Sequence, residues 1–329
     1  MALMAVALGA AALFFRPSPE WVEGAYANGF YPYWEHSIYQ ITSRLPWSFG
    51  DVVVISGVLW LLFHLIRRQW LWALAVLCIY GFWFEASWGW NYNRAPIETR
   101  VVYDASKANP RAVDALRKRA IAAINALAPL AHARKDDPLD YDALYDDWLP
   151  VVQAAGDRWI PWTYPPCPTL AYPFMNATGT TGYINPLTLN SHLASDLLWF
   201  ERPFVLAHEW SHVAAYARED EANYLAAVTT TRSHNVVEAY SGWLELFMYL
   251  PPLQKYPKTM FVSEVWEDFA AIRARNKAYV NLNLSTISWG TYNTYLKSNH
   301  IANGIENYNE VTRLYLGVAL DRTSVPIPK

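Results

Sequence analysis

The nine residues Phe204-Val205-Leu206-Ala207-His208-Glu209-Trp210-Ser211-His212 decide how this chain is read, because they hold the pattern H-E-x-x-H. On a helix, positions four apart share a face. His208 and His212 therefore present two imidazoles to one metal ion, while Glu209, one step round, reaches a water activated by that ion. This is the layout of a zinc-dependent hydrolase. With eight histidines in 329 residues, random placement would produce the pattern in roughly one chain in a hundred. Pro203 suits the first turn of the helix, since it lacks the N–H that would go unpaired there. The apolar residues ahead of His208 predict a buried segment, and imidazoles taken out of water need partners.

Catalytic zinc takes three protein ligands, and the next candidates stand in Arg218-Glu219-Asp220-Glu221-Ala222-Asn223. If a second helix starts near Glu219, then Glu219 and Asn223 share a face. Glu219 would complete the metal set and Asn223 would steady a ligand from behind. Glu221 is turned away from Glu219 by about 200° at 3.6 residues per turn, so it is the alternate. Glu238 is a rival further on. His234 and Tyr240 are candidate hydrogen-bond donors to the oxyanion of a tetrahedral intermediate. Upstream, Thr181-Gly182-Tyr183-Ile184-Asn185 reads as a short edge strand that could pair with a substrate backbone.

Composition sets the surroundings of this site. The chain is 53% hydrophobic and 16% aromatic but only 17% charged, below the usual quarter, which implies that part of it lies in lipid. A net charge of −3 gives no electrostatic case for nucleic acid. Cys78 and Cys167 are the only cysteines, too few for a disulfide framework or a thiolate zinc site.

Three apolar runs lie near the N-terminus. Residues 2–15 form a short one, read as a retained helix in preference to a cleaved signal. Residues 51–66 and 70–87 flank Arg67-Arg68-Gln69 and read as a transmembrane hairpin, with its basic turn on the cytoplasmic side. The intervening 16–50, rich in Trp and Tyr between prolines and glycines, is expected as an interfacial loop. This makes residues 1–88 a membrane anchor and 89–329 an extracytoplasmic domain that is mostly helical with a small β element. Trp88-Gly89-Trp90 marks the boundary. Within the domain, Val113, Leu116, Ala120 and Ile124 lie on one face of a helix ending near Pro129. A second helix from Tyr141 to Ala155 is interrupted at Pro150. Five prolines between Pro161 and Pro173 leave no regular structure, and helices are expected at 236–250, 263–280, 285–298 and 306–320.

Several stretches together resemble a bacterial membrane-protein family catalogued only as a domain of unknown function. They are Pro19-Glu20-Trp21-Val22-Glu23, Leu45-Pro46-Trp47-Ser48-Phe49-Gly50-Asp51, Gly179-Thr180-Thr181-Gly182-Tyr183-Ile184-Asn185-Pro186, the H-E-x-x-H, Ala217 to Asn223, Tyr240-Ser241-Gly242 and Gly304-Ile305-Glu306-Asn307-Tyr308. The resemblance covers nearly the whole chain. It implies N-terminal transmembrane helices and an extracytoplasmic metallopeptidase-like domain in the bacterial cell membrane, without a named substrate. More distantly, Glu219-x-x-Ala222-Asn223 is similar to an element of the gluzincins, including membrane CAAX-processing and phage-repressor-cleaving peptidases. There the first Glu is the third zinc ligand, which implies Glu219. This chain departs from them in how soon Glu219 follows His212, and from the family in having Ala215 where glycine is usual.

The sequence thus predicts a membrane-anchored zinc peptidase of gluzincin type, binding one zinc ion and a peptide or protein substrate, with Glu209 as general base. A non-catalytic scaffold or sensor with a structural or vestigial zinc is the alternative, and a fourth ligand such as His234 would mark it. A transporter is disfavoured, because between Asp51 and Glu85 at its outer ends the hairpin offers only His64 outside its basic turn as a charge-bearing group. The oligomeric state is not encoded in any stretch above.

Overall fold

Helices follow the apolar runs and stop at their turn residues. The computed structural model describes residues 1–163, 165–298 and 308–329 and is mainly helical with one two-stranded sheet. The N-terminal elements are α1 (Ala2–Phe14), α2 (Pro19–Trp21), a π-helical stretch (Val22–Phe30), α3 (Tyr31–Thr42), α4 (Phe49–Ile66) and α5 (Trp70–Ser87). There follow α6 (Ile97–Arg100), α7 (Pro110–His132), α8 (Tyr141–Ala154), α9 (Tyr172–Thr178), β1 (Gly182–Ile184) and β2 (Ser191–Leu193). The rest are α10 (Arg202–Val213), α11 (Glu219–Thr231), α12 (Val236–Met248), α13 (Ser263–Tyr279), α14 (Leu282–Ser298) and α15 (Tyr308–Gly317). Residues 304–307 of the Gly304 to Tyr308 motif, and the expected helix start at Glu306, lie outside the described residues.

The hairpin is present at the expected place. The Ser48 hydroxyl caps α4 by accepting the Asp51 N–H at 3.1 Å. Among the described residues, α4 and α5 are the helices long and apolar enough to cross a membrane. Their apolar side chains stand open rather than packed, with Leu59, Phe63 and Leu77 more than half exposed. The shorter α1 lies so close to α5 that a Cβ at Gly9 would fall 2.4 Å from the Cys78 Cβ, the close backbone approach that small residues permit.

Three expectations are corrected. Residues 19–42, expected as a loop, are almost continuously helical. One side of this arm faces protein, where Val22, Tyr26, Tyr31 and Ile38 share a core with Trp88, Tyr92, Ile184, Val213 and Ala217, while Trp21, Phe30 and Tyr33 stay exposed. Trp88, at the expected boundary, and Tyr92 are accordingly buried in protein. Neither Pro129 nor Pro150 stops its helix. Each removes a single N–H donor, while flanking residues such as Ala128, Ala131, Trp148 and Val151 are fully buried. Finally, α14 begins three residues earlier than expected, at Leu282.

The main core is built by α7, α8, α10, α11, α12 and α15. Leu116, Ala120 and Ile124 from α7 meet Trp148, Trp210, Leu225, Leu244 and Leu314. The Trp148 indole donates to the Ser211 hydroxyl at 3.0 Å, and that hydroxyl donates to the Ala207 carbonyl at 2.7 Å. The faces of α10 and α11 turned away from this core carry the polar residues described next.

Candidate metal centre

Two helices and one tight turn assemble the site. His208 and His212 lie on one face of α10 and meet edge to face, with ring centroids 4.6 Å apart. The chain then reverses through residues 214–218 and enters α11 at Glu219. Such a short link closes because Ala215 adopts φ +69°, a left-handed conformation normally left to glycine. Arg94 grips this turn. Its guanidinium donates to the Ala214 and Ala215 carbonyls at 3.4 and 3.3 Å and pairs with Asp157 and Glu23 at 3.1 and 2.9 Å. The Tyr216 ring sits between Arg94 and Arg100, 4.9 and 5.0 Å from their guanidinium carbons.

This turn brings Glu219 onto the two histidines. The His208 Nε2 lies 3.0 Å from the His212 Nε2, and the Glu219 oxygens lie 3.4 and 3.7 Å from the two rings. All three ligand atoms fall within 4.8 Å of one another. Glu221 points elsewhere: it accepts the Ile97 N–H at 2.9 Å and faces Arg100 and Arg218 at 3.5 and 3.6 Å. It is an ion-pair residue buried under the turn.

The hydrogen bonds around the triad fit a cation. The His212 Nδ1 lies 2.7 Å from the Tyr216 carbonyl, which can only accept, so Nδ1 carries the proton and Nε2 of the neutral ring presents a bare lone pair. Burial and the neighbouring His208 hold the His212 pKa down to about 4. A second imidazole nitrogen and a carboxylate crowd the same point, where either a proton on the His208 Nε2 or a bound cation satisfies them. For His208, burial opposes protonation but the adjoining Glu219 carboxylate prevails and raises its pKa. Nδ1 of His208 is buried without a hydrogen bond among the described residues, and Asn223 lies beside the ring in the same cleft. Two imidazoles and one carboxylate suit zinc.

Glu209 faces the strand. A Cβ on Gly182 would lie 2.5 Å from its Oε1, so β1 and the carboxylate meet only because residue 182 has no side chain. The Glu209 Oε2 is buried and lacks a hydrogen-bond partner among the described residues. Burial lifts its pKa to about 8, against the pull of His208 and with the help of Glu219.

β1 and β2 pair antiparallel, with Gly182 opposite Leu193, Tyr183 opposite His192 and Ile184 opposite Ser191. Hydrogen bonds from the Asn185 N–H to the Asn190 carbonyl and from the Ala194 N–H to the Thr181 carbonyl fix the alternation. Gly182 and Ile184 consequently turn their backbone N–H and C=O groups toward the outer edge of the sheet. Thr181, Gly182, Tyr183 and Ile184 line a cleft of about 660 Å³ together with His208, Glu209, His212, Glu219 and Asn223.

The remaining expected residues fall elsewhere. Asn185 closes the β1–β2 turn by accepting the Leu187 N–H at 3.0 Å, and its amide packs on Gly50. Tyr240 is buried in the main core, where its hydroxyl donates to Asp268, which also meets the His132 ring. His234 is exposed at the α11–α12 break and does not line the cleft. Glu238 is buried and accepts from Ser233 at 2.8 Å. Of these, Tyr240 is held by a partner distant in sequence, whereas Asn185 and Glu238 bond neighbours two and five residues away.

Sequence reasoning missed three contributors. Trp88 donates its indole N–H to the His212 carbonyl at 3.3 Å. Arg94 holds the turn, and Glu245 on α12 lines the cleft. Only Arg94 left a signal, as a lone cation in an aromatic segment. No curated protein and no solved structure matched the chain. The family described as a protein of unknown function, DUF3810, matches residues 26–316, and the chain belongs to that family.

Proposed function

We propose that the protein is a membrane-anchored zinc-dependent peptidase of gluzincin type, with its catalytic domain on the extracytoplasmic face. The observation that carries this reading is the convergence of His208, His212 and Glu219 in an open cleft, beside a Glu209 whose Oε2 has no partner among the described residues. Zinc held by the three side chains would polarise a scissile carbonyl and make a water in the cleft more acidic. The chain's own groups do the rest. The Glu209 carboxylate takes a proton from that water and delivers it to the leaving amine nitrogen. The outer edge of β1, through the backbone groups of Gly182 and Ile184, aligns an extended peptide as an added strand. Tyr216 fixes the His212 tautomer, and Trp88 holds the end of α10 in place. The basic turn of Arg67 and Arg68 favours the cytoplasm, which puts the far ends of the hairpin and the domain outside.

A structural zinc site would need a fourth protein ligand. Among the described residues the metal-binding group stops at three, and His234 lies outside the cleft. Glu209→Gln tests the enzyme reading. Zinc measured by elemental analysis should remain near one per chain, while turnover of a cleaved peptide falls by about a hundredfold to ten-thousandfold. Unchanged turnover would remove Glu209 from the mechanism.

A further inference from the structure

We infer that the site acts on polypeptides close to their own membrane anchor, cutting a bond that emerges just outside the bilayer. The inference rests on the peptidase reading and deepens it. It comes from how the hairpin is joined to the cleft.

Phe84, on the last turn of α5, lines the same cleft as Gly182, His208 and Glu209. Helix α5 has 18 residues, which at 1.5 Å each span about 27 Å, close to the roughly 30 Å hydrocarbon core. Its last turn therefore reaches the headgroup level, and so does the cleft wall that Phe84 forms.

The attachment leaves no flexible stalk. From the end of α5, the Ser87 hydroxyl donates to the Pro186 carbonyl at 2.8 Å, just after β1, and Trp88 is tied to His212 as described. The start of α4 is tied to the same region. The Gly50 N–H reaches the Asn190 side chain at 3.3 Å, and Asp51 accepts from Thr169 and Leu170 at 2.9 and 2.7 Å. Both outer ends of the hairpin thus clamp the β1–β2 turn, which fixes the height of the cleft above the membrane. A volume near 660 Å³ is roughly 9 Å across, so an extended chain at about 3.3 Å per residue crosses it in about three residues. A polypeptide leaving the bilayer beside α5 enters with its scissile bond within about ten residues of its anchor. A soluble protein would have to bring an extended segment down to the lipid surface, at a cost in loop ordering.

The test uses the full-length, zinc-loaded chain in lipid nanodiscs. A mixed-sequence peptide library is either coupled at one end to phosphatidylethanolamine in the disc or left free, and cleavage sites are mapped by mass spectrometry. The inference predicts cuts clustered within about ten residues of the lipid and at least tenfold lower kcat/KM for the free library. Equal rates, or cuts spread along the tethered chains, would overturn it while leaving the peptidase reading intact. Absence of any cleavage would sink both. A second measurement needs no turnover. A fluorophore on Ser288→Cys, at the cleft wall, should be quenched by headgroup-spin-labelled lipid; no quenching would place the cleft away from the bilayer and refute the inference.

Discussion

Two partly buried clusters in this molecule each set histidine against a carboxylate and behave in opposite ways. In the first, His132 and Tyr240 converge on Asp268. The ring nitrogen lies 3.0 Å from a carboxylate oxygen that also accepts the tyrosine hydroxyl. Donors meet an acceptor, so the cluster is complete within the chain. In the second, His208, His212 and Glu219 bring more acceptors than donors to one point, with the His212 proton already committed to Tyr216 and the Glu209 Oε2 left without a partner among the described residues. A histidine near a carboxylate therefore says little by itself. What separates a structural cluster from a cation site is whether donors and acceptors balance.

The largest expected effect breaks the comparison at the open cluster. His212→Ala should abolish zinc binding, read by elemental analysis of the purified chain, because the remaining imidazole and carboxylate are too few to hold the ion. Next, Gly182→Ala should keep zinc but lower turnover by about a hundredfold, since the new methyl must displace the Glu209 carboxylate or the strand. A kcat/KM equal to wild type would show that the strand does not position the base. At the closed cluster, Tyr240→Phe should leave zinc content and turnover alone. It should destabilise the fold by about 1–3 kcal/mol in denaturant melts, because Asp268 loses a buried donor; loss of zinc in this variant would erase the distinction drawn above.

The smallest effect concerns a carboxyl belonging to neither cluster. Glu35 on α3 is buried, which pushes its pKa up to about 9 despite a hydrogen bond from the Trp162 amide at 3.2 Å. The folded chain retains a proton that the unfolded chain releases above its ordinary value. Stability from this group is therefore full at low pH and declines as pH rises from about 4.5 toward 9. Glu35→Gln should raise the thermal midpoint by about 5 °C at pH 8 and change it little at pH 4. An equal shift at both pH values would mean that Glu35 is not the titrating group.

Legibility in the sequence followed the range of the interactions. The pair His208 and His212 rests on rotation per residue within one helix, and the choice of Glu219 over Glu221 on that rotation together with the gluzincin resemblance; the structure brings Glu219 to the two imidazoles and turns Glu221 toward Arg100 and Arg218. The α4–α5 hairpin was legible for the same reason, since length and polarity are local. The helical arm at 19–42 was not. Its tryptophans and tyrosines suit a lipid interface and a protein core equally well, and only contact with Val213 and Ala217 distinguishes them. Tyr240 was placed at the site because its partner, Asp268, lies 28 residues away on α13. The sharp turn at Ala215 was hard to foresee for a related reason. Its strain is offset by Arg94, which binds the turn from more than a hundred residues upstream.

The most direct test of the central claim is anomalous X-ray scattering at the zinc edge from crystals of the full-length chain. The account predicts a single strong peak within bonding distance of the His208 Nε2, the His212 Nε2 and a Glu219 oxygen, with Glu209 near it but not bonded to it. A peak elsewhere, or no zinc and a proton bridging the two imidazoles in protein purified with zinc present, would contradict it.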